Sequence, residues 1–169
     1  MKRHAGTRKR TRWVVFAVLA LLPLLTGIAL ATPGVGIVSA PVHARGTNAD
    51  LLNVHSKAGV KLQTKSSVDF VTQQISIAPG GTTGWHSHPG PVLVTVKSGA
   101  LTLVYADDET CQGRTYRAGE SFVDRGDEIV LTALNRSTEN LEIWATYLVP
   151  GKPGAPARID APSPGTCPF

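Results

Sequence analysis

Two of the five histidines, His86 and His88, stand one residue apart in the segment Pro79-Gly80-Gly81-Thr82-Thr83-Gly84-Trp85-His86-Ser87-His88-Pro89-Gly90-Pro91. On an extended strand, positions i and i+2 project to the same face. Two imidazoles on one face can offer their nitrogens to a divalent cation of the iron, zinc, copper or nickel type. Trp85 and Ser87 would then face the other way. The same pattern also arises when two histidines cap a turn, with their nitrogens bonded to backbone or water. A third metal ligand has four candidates in the sequence: His55, Glu128, Glu120 and, if the segment before residue 51 folds back, His43. Glu128 also reads as a solvated turn carboxylate following Asp127. The acidic run Asp107-Asp108-Glu109 reads as a solvated loop rather than an acid/base pair. No Gly-x-Ser-x-Gly elbow, phosphate-binding loop or dinucleotide glycine fingerprint occurs in the chain after residue 31.

The elements that must carry these residues are short β-type runs. They are Val60 to Thr64, Val68 to Ala78, Val92 to Val96, Leu101 to Tyr105, Ser121 to Val123, Ile129 to Leu134 and Leu141 to Val149. Each is rich in Val, Ile, Thr or aromatics and is bounded by turn residues. Turns are expected at Lys97-Ser98-Gly99, Arg117-Ala118-Gly119-Glu120 and Asp124-Arg125-Gly126-Asp127. Arg125-Gly126-Asp127 is therefore read as a turn and not as an adhesion tripeptide. The rhythm is that of an all-β antiparallel sandwich or barrel, with Phe70, Tyr105, Phe122, Trp144 and Tyr147 as core aromatics. Asn135-Arg136-Ser137 fits a glycosylation sequon.

At this point the pattern resembles the cupin superfamily. That family's first motif has Gly, His-x-His, Glu and Gly at set intervals, and Gly80, His86, His88 and Gly99 fall in place, with Val92 at the glutamate position. The second motif opens at Gly119, but its histidine position holds Val130 or Leu131, depending on how Asn135 is aligned. The resemblance runs from about Val68 to Val149. It implies an antiparallel jelly-roll β-barrel, a homodimer, and a metal site that retains two ligands of four. Gly-Trp-His-Ser-His-Pro-Gly-Pro with a late Cys-Pro-Phe is similar to small exported bacterial cupin-domain proteins.

The chain has 169 residues, enough for one core, and carries a formal net charge of +5. Six basic side chains and no acidic ones lie in residues 1–31, so the remainder carries eleven basic against twelve acidic groups. That balance excludes a nucleic-acid partner. From Trp13 to Ala31 nineteen residues pass without a charge, and Ala29-Leu30-Ala31 forms a small-residue cleavage pattern. Residues 1–31 are thus expected to be a signal peptide or an N-terminal membrane anchor, an apolar leader helix in either form. The rest would lie outside the cytoplasm, secreted or tethered, with membrane contact confined to the leader. Residues 32–50 read as a linker, 51–150 as the barrel and 151–169 as a Pro/Gly-rich tail across its surface. In an oxidising compartment Cys111 and Cys167 are expected to pair.

Three functional readings follow. The first is a binding module holding a small molecule, a loosely bound divalent metal, or both, at His86 and His88. The second is a metal-dependent oxygenase or isomerase with an unidentified third ligand. The third is a membrane-anchored interaction module.

Overall fold

The computed structural model describes residues 30–169, so the expected leader helix lies outside the described residues. Among the described residues every named element is a strand, and every pairing is antiparallel. In chain order they are β1 (Val35–Ser39), β2 (Val42–Asn48), β3 (Asn53–His55), β4 (Lys61–Gln63), β5 (Val68–Thr82), β6 (His86–Ser87), β7 (Val92–Ser98), β8 (Ala100–Tyr105), β9 (Arg114–Arg117), β10 (Ser121–Asp124), β11 (Leu131–Leu134), β12 (Leu141–Pro150) and β13 (Ile159–Asp160).

One layer runs β10-β7-β12-β5, with β1 and β2 on the far edge of β5; the other brings β9, β8, β11, β6 and β13 together. The layers join where Thr82 at the end of β5 pairs with Leu134 of β11. The result is a nearly closed jelly-roll barrel. Period-two patterning builds its interior: along β7, Val92, Val94 and Val96 are buried while Leu93 and Thr95 are exposed. These valines meet Leu101 and Leu103 of β8, Leu131 and Ala133 of β11, and Ile143 and Ala145 of β12 in one core. A second, smaller core forms on the outer side of β6, where Trp85 packs with Val104, Leu134, Ala161 and Cys167.

Three expectations change. Residues 32–50 are not a linker: β1 and β2 pair along β5, at Val35↔Thr82 and from Val42↔Gln73 to Asn48↔Val68. Nearly all their side chains are exposed edge positions, so no apolar alternation marks them; backbone pairing holds them, joined by bonds from Arg45 and Thr47 of β2 to the Asp69 carboxylate of β5. β5 continues through Pro79 to Thr82, because its pairing with β12 ends at Ile77 and Pro79 owes that strand no N–H. Residues 53–63 form a hairpin, β3–β4, that pairs only with itself and not with the barrel.

The tail is held as expected, and it also contributes β13, which pairs with β6. Cys111 and Cys167 form a disulfide with their Cα atoms 5.6 Å apart. Beside it, the Phe169 ring stacks on Trp85 with centroids 6.1 Å apart, and Trp85 Nε1 donates to the Phe169 carbonyl oxygen at 3.1 Å. Asn135, 1% exposed, donates through Nδ2 to the carbonyls of Ile77 and Glu139. The sequon is therefore a structural corner with its amide already engaged.

Candidate functional site

β6 is two residues long, and its placement depends on the turn before it. Gly84 has φ +70°, and a Cβ there would collide with the Thr32 carbonyl oxygen, so only glycine permits this approach to the N-terminal segment. The chain then runs past Leu131 of β11 on one side and Asp160 of β13 on the other. On the far side of His88, Gly126 (φ +73°) packs against Gly90, and Glu128 N–H donates to the His88 carbonyl at 3.0 Å. The two imidazoles are fixed from both ends.

His86 and His88 are 4% and 6% exposed, and their ring centroids lie 4.8 Å apart, edge to face. His86 Nδ1 lies 2.8 Å from the Gly84 carbonyl oxygen, and His88 Nδ1 lies 2.7 Å from that of Ala157. A carbonyl oxygen only accepts, so each Nδ1 carries the hydrogen and donates. Burial, reinforced by the Arg158 charge and by His88, lowers the pKa of His86 to about 3. Burial also lowers that of His88, against the opposing pull of its bond to Ala157 and of the Asp124 carboxylate. Both rings are therefore neutral Nδ1–H tautomers, and the Nε2 of each is a lone pair.

Both histidines line a cavity in two parts. The inner part, about 50 Å³, is walled by the apolar core residues of both layers and by Asp124. The outer part, about 380 Å³, opens between residues 33–40 and the tail, with Gln73, Tyr147, Arg158 and Asp160 at its rim. Tyr147 donates to Gln73 Oε1 at 3.0 Å, and burial pushes its hydroxyl up to about 12. Arg158 is tied to Asp160 at 2.6 Å and donates to the Thr83 carbonyl at 2.8 Å. The stretch read as linker and the stretch read as tail together frame the entrance.

The candidate third ligands lie elsewhere. His43 is exposed on β2 and stacks on Trp144 with centroids 4.9 Å apart. His55 is exposed on the β3–β4 hairpin, against Asn53. Glu120 accepts from the Arg117 N–H in a turn. Glu128 is exposed in the β10–β11 turn, with φ 58°. Val92 and Leu131, where the resemblance would place a glutamate and a histidine, do line the inner cavity with His86 and His88. Of the two alignments, it is Leu131 that faces the site, while Val130 packs toward the second core.

Imidazoles with Nδ1–H on backbone carbonyls are oriented as metal ligands are, so the pair itself fits a cation. A full ligand set does not form: among the described residues no three His, Cys, Asp or Glu gather closely enough to share a metal ion. A cation here would rest on two imidazoles and solvent, and no reaction step is derived through it.

Sequence reading missed Asp124. Placed in a turn by its Asp-Arg-Gly-Asp context, it is the last residue of β10, 3% exposed, opposite Val92 in the ladder. Only the pairing of β10 with β7 reveals where it points, and that pairing is not a local signal.

The site is thus a buried pair of lone-pair imidazoles on the wall of an antiparallel β-barrel cavity. No family model and no curated protein matches the chain. Among solved structures it is similar to an uncharacterized conserved protein with a double-stranded β-helix domain from Klebsiella pneumoniae, at 21% identity over 68% of this chain and 86% of that one, with TM-score 0.45. It is also similar to a cupin domain from Bordetella pertussis, at 16% identity over 70% and 96% of the two chains, with TM-score 0.42. A solved oxalate oxidase is similar at 24% identity over 53% of this chain and 45% of that one, with TM-score 0.41.

Proposed function

We propose that this chain is an exported cupin-type binding protein that takes a small ligand into the barrel cavity at His86 and His88. The observation that carries the reading is the pair of neutral, carbonyl-anchored imidazoles whose Nε2 lone pairs face a cavity of about 380 Å³ opening to solvent. Such a constellation of few oriented polar groups in a largely apolar recess is what small-molecule sites are made of. A divalent cation at the same pair is weakly held, because two protein ligands share its dehydration cost. The basic, apolar leader and the disulfide support export, with membrane contact confined to the leader.

The test is a thermal-shift screen of small molecules beside a metal assay, on the purified protein and on the His86→Ala, His88→Ala double variant. The reading expects at least one saturable hit that the double variant loses, and no metal retained through gel filtration above the variant's background. One metal per chain, retained and lost with the histidines, would overturn it in favour of a metal-dependent enzyme.

A further inference from the structure

The cavity presents hydrogen-bond acceptors that no protein group answers. With each Nδ1 donating to a carbonyl, His86 and His88 turn only lone pairs inward. Across the cavity, Asp124 pairs with Val92 and shares its inward face. Tyr105 donates to Asp124 Oδ1 over a long 3.4 Å, and Oδ2 is buried with no partner among the described residues. Buried carboxylate oxygens are as a rule satisfied, so an orphan on a residue that lines the cavity points to a donor that belongs there.

We propose that His86 Nε2, His88 Nε2 and Asp124 Oδ2 form an acceptor-only site for the N–H donors of a small organic ammonium group. The inference deepens the reading of the cavity as a ligand site and rests on it. An ammonium head carries three donors and one positive charge, against three acceptors of which one is a carboxylate oxygen. A metal ion would need its donors about 2.0–2.2 Å from one centre, a convergence the described residues do not reach. N–H donors reach acceptors at about 2.7–3.2 Å and so accept a wider triangle. The inner chamber, about 50 Å³, suits a head group of few heavy atoms, and the apolar walls at Val94, Leu103, Ala133 and Ala145 suit an alkyl stem. The Tyr147 ring, with its centroid 5.2 Å from that of His88, adds an aromatic face for a cation. At the mouth, the Arg158 charge is paired with Asp160, which blunts its repulsion of an incoming cation.

The test titrates the purified full-length chain with n-butylammonium chloride, 1-butanol and sodium butyrate, following the ¹⁵N signals of the His86 and His88 rings. Butylammonium is expected to shift both Nε2 signals saturably, at least tenfold more tightly than 1-butanol. Asp124→Asn is expected to weaken butylammonium tenfold or more without lowering the melting temperature of the ligand-free protein, since it removes an unpartnered oxygen and not a structural bond. Equal binding of butylammonium and 1-butanol by the wild type would overturn the proposal, and that contrast needs no variant to fold. Unchanged butylammonium binding by Asp124→Asn would also overturn it. If butyrate shifts the ring signals and butylammonium does not, the ammonium site fails while the cavity reading stands. If no probe in this set or in the thermal-shift screen touches the rings, both fail.

Discussion

Acidification from pH 7.5 to pH 5 is expected to destabilise the fold through His86 and His88. In the unfolded chain a histidine takes up its proton near pH 6.5, whereas folded His86 does so only near pH 3. Between these values the unfolded state binds the extra proton, so stability rises with pH across the window and is fully present above pH 6.5. At about 1.4 kcal/mol per pH unit, His86 withholds about 2 kcal/mol by pH 5 and about 5 kcal/mol by pH 3. His88 is displaced in the same direction and adds to the loss. Asp69, held down to about 2 by bonds from Thr47, Gly154 and Arg45, acts lower: its stabilisation is present above pH 3.8 and lost only as the pH falls toward 2. Urea unfolding at pH 7.5, 6.5, 5.5 and 5.0 measures the effect, with His86→Gln and the His86→Gln, His88→Gln double variant alongside. The wild type is expected to lose at least about 2 kcal/mol over this range, the single variant less, and the double variant little. A wild-type midpoint that stays flat from pH 7.5 to 5.0, or a double variant with the wild-type slope, would refute the claim that these rings are buried neutral.

Replacing Cys111 and Cys167 by alanine reopens a loop with sequence separation 56, and chain entropy sets the cost at about 4 kcal/mol; a urea midpoint within experimental error of the wild type would contradict this. The freed tail is also expected to release the Ala157 carbonyl from His88 and raise proteolysis between residues 151 and 169, read by limited digestion and mass mapping. Conversely, Val92→Glu with Leu131→His places two further ligands on the inward face beside His86 and His88. That double variant is expected to bind zinc at least tenfold more tightly than the wild type by competition titration, and to be less stable without metal because it buries an acid in an apolar wall.

How much of this was legible in the sequence follows from where each signal resides. β7 and β12 declare themselves, because one buried face imposes alternation on Val92-Leu93-Val94-Thr95-Val96 and on Leu141 to Val149. His86 and His88 are legible for the same reason: spacing alone puts them on one face. β1, β2 and β9 are not, since edge strands leave most of their side chains exposed and unpatterned. Asp124 hid among turn residues, its burial decided by the register of β10 against β7. One of the tail's contributions to the site is a backbone oxygen, that of Ala157, which no side-chain pattern encodes. Local periodicity writes faces into a sequence, while partners across a ladder emerge only when distant segments meet.

Central to the site are two cavity-lining imidazoles held as neutral Nδ1–H tautomers by the carbonyls of Gly84 and Ala157. Long-range ¹H–¹⁵N correlation of the histidine rings at pH 7.5 reports tautomer and charge for each residue. Neutral Nδ1–H rings for both His86 and His88, with unprotonated Nε2, are predicted. Nε2–H tautomers, or either ring found as imidazolium at that pH, would contradict this.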